Sequence, residues 1–336
     1  MLNIPFRSGV YWIVVLVMSL SQFSAFAQPA ASYPTRPIRI VLPFAPGAAT
    51  DFTARIIEPR VTAELGKQIV IDNRPGAGGL IGVELVARSN PDGHTLLYGN
   101  VGAIAINPWV HPSVQPQRDM LPITLIADVP SMLVANLSFS PNTLKEFIEY
   151  VKVNAGKVNY SSGSIGLVVA SRLEIESFMR TVGIKMTHIG YKGGAGQAVV
   201  GLLSNEIQVM FVAMTSVVPF VKQKRLKGFA VTAQTRVAAA PDVPTMPELG
   251  FAEMRFGSWH GMLAPGGTPT AIVGRLFNTM VRVMDHPDVK MRLAGGGVSS
   301  AVSKSPNEFL EFIKTESDRF GRTLKEIGPE ASAEKQ

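Results

Sequence analysis

Short runs of β-branched and apolar residues alternate with helical periodicity from position 38 onward. The first part of this pattern predicts strands over 38–43, 69–72 and 95–98, with helices over 50–65 and 79–89. Strands separated by helices of about 10–15 residues are typical of βαβ units. These segments therefore predict a parallel sheet.

The same alternation returns in the middle of the chain. Helices are predicted over 144–154, 168–182 and 195–203, and extended segments over 158–160, 186–189 and 207–211. Two long apolar stretches, 123–134 around Pro130 and 256–264, flank this second α/β unit. We interpret both stretches as irregular segments in which the chain crosses from the first unit to the second and back. The predicted fold class is α/β.

The composition is that of a globular protein with a full core. Of 336 residues, 46% are hydrophobic and 17% are charged, which excludes disordered, collagen-like and coiled-coil chains. The net charge of +7 comes from scattered residues, and the densest basic cluster has four cations within 222–227. Such a cluster is more often a solvated helix end than a nucleic-acid site. We expect no nucleic-acid partner.

The N-terminus has the pattern of a cleaved signal peptide. Arg7 precedes an apolar run from Val10 to Leu20, and small residues follow at Ala25 and Ala27. We predict cleavage after Ala27, so that residues 1–27 form the signal peptide. The apolar run has about half of the ~20 residues that a membrane anchor needs. The sequence contains no cysteine, which excludes disulfide bonds and a lipidated N-terminal cysteine. These features favour a free soluble protein of a bacterial periplasm.

Four loops that follow predicted strands are rich in small residues: 43–51, 98–102, 160–166 and 191–196. Open α/β sheets bind ligands at the carboxyl ends of their strands. Loops of this kind offer free N–H groups and the positive end of a helix to carboxylates or phosphates. Thr50 is predicted to be the N-cap of the first helix, and Lys192 is the single cation in the four loops. We interpret the loops as binding elements, two in each unit.

The sequence does not match the motifs for nucleotide binding, nucleophilic catalysis or metal binding. The segment 73–82 is glycine-rich, but Ile81 stands where a dinucleotide fingerprint needs glycine, and no P-loop ending follows. A closely packed strand-to-helix connection is expected there. The serines lack the G-x-S-x-G context of a nucleophile, and the five histidines lack metal-ligand spacing. His188 and His260 lie in apolar runs and are interpreted as core or cleft residues. No catalytic residue, metal or cofactor is predicted.

A series of short motifs runs in order through the chain after the signal peptide. They are IVLPFAPG at 40–47 with Asp51, NRPGAGG at 73–79, AINP at 105–108, GKVNY at 156–160, YKG at 191–193, APDVPT at 240–245 and SWHGMLAP at 258–265. The series resembles the tripartite tricarboxylate transporter substrate-binding family, the Bug-type receptors. The resemblance implies a periplasmic-binding-protein fold of the type II kind, in which two α/β lobes joined by two crossing segments hold a small, usually carboxylated solute between them.

The resemblance also implies a division into lobes and a binding site. Residues 28–130 with 254–336 would form lobe 1, and residues 131–253 would form lobe 2. Backbone amides and bridging waters would hold the carboxylate. The ligand-binding residues carried over are Phe44, Pro46, Gly47, Ala48, Asp51, Gly99, Asn100, Val101, Gly102, Ser161, Ser162, Gly166, Lys192, Gly193, Gly194 and Ala195.

The sequence departs from the family pattern in ways that make the predicted cleft more apolar. Ala48 replaces a second glycine, Ala103 and Ile104 replace a Thr-His pair, and Val212 replaces an aspartate. A tricarboxylate ligand is therefore not assumed. The segment 166–177 fits the family helix poorly. Within it, Arg172 has two open interpretations, a carboxylate clamp peculiar to this chain or a solvated helix residue.

The expected protein is a monomeric solute receptor that catalyses no reaction. The resemblance implies that it delivers its solute to a membrane transporter. The alternative is a receptor whose liganded form engages a membrane sensor kinase. An exported hydrolase on a related scaffold is a third interpretation, weakened because no paired nucleophile and base were found.

Overall fold

Ten strands form one mixed sheet in the part of the chain that the computed structural model describes, residues 32–162, 170–254 and 257–327. The strands are β1 Ile38–Leu42, β2 Ile69–Asn73, β3 Thr95–Asn100, β4 Met120–Asn136, β5 Asn159–Ser161, β6 Thr187–His188, β7 Val209–Ala213, β8 Leu226–Val231, β9 Gly257–Pro265 and β10 Ser299–Ser300. The α-helices are α1 Ala49–Leu65, α2 Leu80–Ala87, α3 Asn107–Val110, α4 Pro116–Asp119, α5 Leu144–Val153, α6 Ala170–Val182, α7 Gly194–Leu203, α8 Val218–Lys222, α9 Thr270–Asp285, α10 Pro287–Gly295 and α11 Pro306–Ile327. Short 3₁₀ or π-helical turns lie at Ala77–Gly79, Gly102–Ile106, Met214–Ser216 and Pro247–Leu249.

The 17-residue strand β4 belongs to two parts of the sheet. From Met120 to Pro130 it pairs with β9, and from Ser131 to Asn136 it pairs with β7 and β8. We call β2, β1, β3, β9, β10 and β4 up to Pro130 the first half-sheet. We call β4 from Ser131, with β7, β5, β6 and β8, the second half-sheet. The predicted division into lobes, 28–130 with 254–336 and 131–253, remains a prediction.

The expectation that the crossing stretches are irregular is wrong, because they form the strands β4 and β9. Nearly all of β4 is buried, so its sequence is mostly apolar and shows no regular alternation. Its prolines fall where pairing is irregular. The register with β9 shifts after Pro122, and Pro130 is the last residue paired with β9. Proline has no N–H group to donate, so it is tolerated where the pairing between strands is interrupted.

The predicted parallel βαβ units are confirmed in both half-sheets. β1 pairs in parallel with β2 and β3, and β5 pairs in parallel with β6 and β7. The last residue of β3, Asn100, lies opposite His260 of β9, and the last residue of β7, Ala213, lies opposite Ser131 of β4. The carboxyl ends of the parallel strands therefore face the point where β4 passes from one half-sheet to the other.

Helix α6 packs against both half-sheets. Its residues Ala170 and Leu173 belong to the buried cluster that contains Trp259 of the first half-sheet. Farther along the helix, Phe178 belongs to a buried cluster of the second half-sheet. Arg180 of α6 also donates to backbone carbonyls near the end of α11. This helix therefore couples the two half-sheets through side-chain packing.

Candidate functional site

The loop between β1 and α1 is closed by the side chain of Asp51. Its Oδ2 accepts hydrogen bonds from the N–H of Gly47 at 3.0 Å and from Nε of Arg55 at 2.9 Å. Burial alone would raise the pKa of Asp51, but these donors, together with Asn73, outweigh it and hold the pKa below its ordinary value. Gly47 has a φ of +81°, which glycine adopts without strain. Asp51 is therefore an ionised residue that shapes this loop.

The prediction that Thr50 caps α1 is wrong. The helix begins at Ala49, and its N-cap is Ala48, which provides no side-chain hydrogen bond. Thr50 thus lies inside the first turn, where its buried hydroxyl has no hydrogen-bond partner among the described residues. The first N–H groups of a helix have no intrahelical acceptor. At α1 no side-chain cap replaces that acceptor.

The N-terminus of α7 has the same arrangement on the second half-sheet. Its N-cap is Gly193, which has no side chain to cap the helix and donates its own N–H to Oε1 of Gln197 at 2.8 Å. The positive φ of this loop, +74°, falls at Gly194. Lys192 is exposed to solvent. Helix α5, by contrast, is capped by Thr143, whose side chain accepts from a backbone N–H of the first turn.

The turn Met214–Ser216 contacts both of these helices. It directly follows β7 and contacts α1 of the first half-sheet and α7 of the second. The helices that follow the predicted β1 loop and the predicted α7 loop therefore share one contacting segment, Met214–Ser216, which was not among the predicted site residues.

The described residues of the other two predicted loops, 98–102 at the end of β3 and 160–166 at the end of β5, are largely buried. In the β3 loop, Oδ1 of Asn100 accepts the N–H of Ala103 at 3.1 Å, and Gly99, Val101 and Gly102 are buried. Ser161, the last residue of β5, and Ser162, which follows it, are both buried. Gly166 lies outside the described residues.

Ser162 at the end of β5 has two described polar contacts. Its hydroxyl is 3.3 Å from Nε2 of His188, and its carbonyl accepts the hydroxyl of Ser171 at 2.9 Å. His188 therefore lies beside a predicted site residue, in agreement with its interpretation as a core or cleft residue.

Arg172 is buried rather than solvated, so the solvated interpretation is wrong. Its Nε lies 2.9 Å from Oε1 of Glu176, one turn farther along α6. Its guanidinium carbon is 5.5 Å from the centre of the Tyr160 ring, and Tyr160 also donates to Glu176. These contacts hold the guanidinium group against β5 of the second half-sheet. A direct contact between Arg172 and a ligand stays a hypothesis.

Four buried or half-buried side chains near the facing sheet edges carry a polar atom without a partner among the described residues. They are Thr50, Thr215, Ser258 and His260. Buried polar groups in proteins are almost always hydrogen-bonded, so such atoms indicate a place for water or a ligand. Thr215 and Ser258 were not among the predicted site residues, although Ser258 opens the motif SWHGMLAP. The sequence signal of Thr215 was only a polar residue next to an apolar run.

The glycine-rich segment 73–82 is the closely packed connection that the sequence predicts. A Cβ atom on Gly82 would lie 2.9 Å from Cα of Pro43, at the end of β1. A Cβ atom on Gly79 would lie 3.1 Å from the Cβ of Ala103. The glycines therefore serve the packing of α2 against the β1 and β3 loops.

A cavity of about 540 Å³ lies away from the predicted site. It borders β4 and α11, and its polar lining includes Asp128, Thr232, Glu316 and Arg319. None of the predicted ligand-binding residues lines it.

In the described part of the chain there is no cluster of three or more possible metal ligands. Among the same residues, no helix has the length and apolarity needed to cross a membrane.

Residues 53–329 match the family model described as tripartite tricarboxylate transporter family receptor. The chain belongs to this family. It is similar to the solved periplasmic binding protein BugD, with 33% identity and a TM-score of 0.81 over 88% of this chain and 99% of BugD. It is also similar to MatC from Rhodopseudomonas palustris, solved with bound malate, with 30% identity and a TM-score of 0.78 over 87% of this chain and 99% of MatC. A second R. palustris protein, solved with adipate, has 28% identity and a TM-score of 0.83 over 88% of this chain and 98% of that protein.

These likenesses confirm the family and the periplasmic-binding-protein fold that the sequence predicted. This member of the receptor family is a solute-binding protein, and its structural neighbours are binding proteins rather than enzymes. The individual ligand contacts stay predictions.

Proposed function

We propose that this receptor captures a small carboxylated metabolite between its two half-sheets in the periplasm and delivers it to a tripartite tricarboxylate-type membrane transporter. The observation that carries the proposal is a pair of helix N-termini without side-chain caps, those of α1 and α7, on two helices that the turn Met214–Ser216 contacts. The malate and adipate found in two similar proteins support the ligand class.

Backbone amides, rather than a charged side chain, supply the affinity in this proposal. Free N–H groups and the helix dipole favour an anion at a helix N-terminus. The charge of Asp51 is matched by its ion pair with Arg55. Lys192 is exposed, so the attraction between its ammonium group and an anion is weakened by solvent.

A comparison of glycine and lysine variants tests this mechanism. Gly47→Val forces a β-branched residue into a φ of +81° and displaces the loop before α1. We expect it to weaken binding of malate or adipate by more than about tenfold, which corresponds to about 1.4 kcal/mol. Lys192→Ala should weaken binding by less than that. Isothermal titration calorimetry measures both changes.

Gly156→Val is the matched control. Gly156 has a φ of +76° and, like Gly47, has open space where a Cβ atom would lie, but it belongs to the turn after α5. Its valine variant should be strained to a similar extent and bind normally. If Lys192→Ala abolishes binding while Gly47→Val binds normally, the amide mechanism is refuted. If no small carboxylate binds and native mass spectrometry finds another class of solute, the proposed ligand class is refuted.

The lobes divided at 130/131 and 253/254 are proposed to close around the solute. A ligand can shift such an equilibrium only by binding the closed form better than the open form. X-ray scattering should therefore show a smaller radius of gyration with a bound dicarboxylate. An unchanged profile with a tightly bound ligand would contradict closure.

The location and delivery are proposed from the N-terminal pattern and the family. N-terminal sequencing of periplasmic extract should find Gln28 as the first residue. Deletion of the receptor gene should abolish uptake of the identified solute through the cognate transporter. Uptake that continues without the receptor would argue against delivery.

A further inference from the structure

A buried chain of polar groups lies beneath the first turns of α1. The hydroxyl of Tyr98 donates to Oγ1 of Thr53 at 2.8 Å, and the same Oγ1 is 2.8 Å from Nδ1 of His260. Thr53 Oγ1 also lies 3.2 Å from the carbonyl oxygens of Ala49 and Thr50. Tyr98, Thr53 and His260 are all fully buried. One ring nitrogen of His260 is therefore held in a fixed hydrogen bond.

The other ring nitrogen has no partner in either tautomer. If Thr53 donates its proton to a carbonyl, Nδ1 of His260 carries the hydrogen and Nε2 is an acceptor. If Thr53 donates to Nδ1, Nε2 carries the hydrogen and is a donor. In both cases Nε2 has no hydrogen-bond partner among the described residues. Burial lowers the pKa of His260 to about 3, so the ring is neutral near pH 7.

His260 lies at the sheet edge that faces the second half-sheet. It pairs in register with Asn100, the last residue of β3, and with Ala127 of β4. Ser258 lies two residues earlier on the same face of β9, and its hydroxyl is also without a partner among the residues described. Thr50, in the first turn of α1, is a third such residue. The His260 ring therefore shares a strand face with Ser258 and is hydrogen-bonded to Thr53, which lies about one helical turn after Thr50 on the helix that follows a predicted ligand loop.

We propose that His260 is a specificity-determining residue whose Nε2 hydrogen-bonds, directly or through one water, to a hydroxyl substituent of the carboxylated solute. A hydroxyl both donates and accepts, so it matches Nε2 in either tautomer. A solute without that substituent leaves the buried nitrogen unsatisfied, which is costly. The inference rests on the proposed function and narrows its ligand class to hydroxy acids.

Matched pairs of solutes test the inference. Malate is compared with succinate, and lactate with propionate, by isothermal titration calorimetry on the mature protein. The wild-type protein should bind the hydroxy acid of a pair at least about tenfold more tightly, as expected for a buried neutral hydrogen bond. His260→Leu should reduce this ratio to about one. His260→Gln keeps a polar group on the side chain and should restore part of the ratio.

Thr279→Val is the control for removing a buried polar group elsewhere. Thr279 lies in α9, and its hydroxyl also has no partner in the described part of the chain. This variant should change the melting temperature but leave the selectivity ratio unchanged. The ratio separates recognition from stability, because a purely structural role of His260 would weaken both members of a pair equally.

The outcomes distinguish the two proposals. If the wild-type protein binds carboxylates but discriminates within each pair by less than about twofold, the role of His260 is refuted and the receptor function stands. The same holds if His260→Leu keeps the wild-type ratio. If no carboxylate of any pair binds, the proposed ligand class fails, and the inference fails with it.

Discussion

Replacing Glu174 by glutamine should stabilise the protein at alkaline pH and change its stability little at acid pH. Glu174 lies on α6 and is 0% exposed. Burial raises the pKa of its carboxyl from the ordinary 4.5 to about 7, and the nearby Glu316 adds to the increase. Ser131, Arg319 and the backbone of Gly257 act in the opposite direction but do not cancel it.

The sign and size of the effect follow from proton linkage. Between about pH 4.5 and pH 7 the folded protein keeps a proton on Glu174 that the unfolded chain has lost. The stability due to this group is therefore complete below the unfolded pKa and is lost as the pH rises through about 7. The difference between the two pKa values corresponds to about 3 kcal/mol at alkaline pH. That is a large share of the ~5–15 kcal/mol by which domains are stable.

Urea unfolding followed by circular dichroism at several pH values measures this contribution. The free energy of unfolding of Glu174→Gln should exceed that of the wild-type protein by about 3 kcal/mol near pH 8, and the difference should disappear near pH 4. Glu149→Gln, an exposed glutamate on α5, should stay within about 0.5 kcal/mol of wild type at every pH. A difference between Glu174→Gln and wild type that does not depend on pH would refute the reasoning.

Further substitutions test the packing around the half-sheets, with urea unfolding as the measurement. Gly82→Ala should destabilise the protein by about 1–3 kcal/mol, because its Cβ would lie 2.9 Å from Cα of Pro43. Gly274→Ala, in α9 with open space around it, should instead stabilise by about 0.4–1 kcal/mol, and equal effects of the two would contradict the packing described. Phe147→Ala should cost about 3–5 kcal/mol, since this ring is fully buried among other aromatic rings. Tyr150→Ala, on the same helix but 38% exposed, should cost clearly less, and a similar loss would argue against the aromatic core.

The parallel strands and most helices were predictable because their patterns are local. The first helix was expected over 50–65 and spans Ala49–Leu65, and the strand expected over 38–43 spans Ile38–Leu42. Strand β4 was not predictable in this way. A strand buried on both faces has no alternation, and its prolines suggest an interruption that tertiary pairing tolerates at Pro122 and Pro130.

The loops of the candidate site were partly predictable, since small residues after strands indicate where a backbone can approach a ligand. The polar atoms without a hydrogen-bond partner were not predictable from the sequence. Whether the hydroxyl of Thr215 or Nε2 of His260 has a partner depends on groups brought together from distant parts of the chain. The assignment of Thr50 as an N-cap failed for a local reason, because the N-cap of α1 is Ala48, two residues earlier than the side chain of Thr50 suggested.

In the proposed binding mechanism, the two half-sheets present equivalent binding groups to the space between them. In each, a strand leads through a glycine-containing loop into a helix whose N-terminus has no side-chain cap, α1 in one and α7 in the other. Each end keeps N–H donors that require an acceptor. A solute with acceptor groups at both ends can satisfy both helices only when the half-sheets are close, whereas a solute with one such group can satisfy either helix alone. Because a ligand favours a conformation only through its greater affinity for it, we propose that the second acceptor group supplies the free energy of closure. Closure then depends on the length of the solute and the geometry of the backbone, and it needs no charged side chain in the four loops.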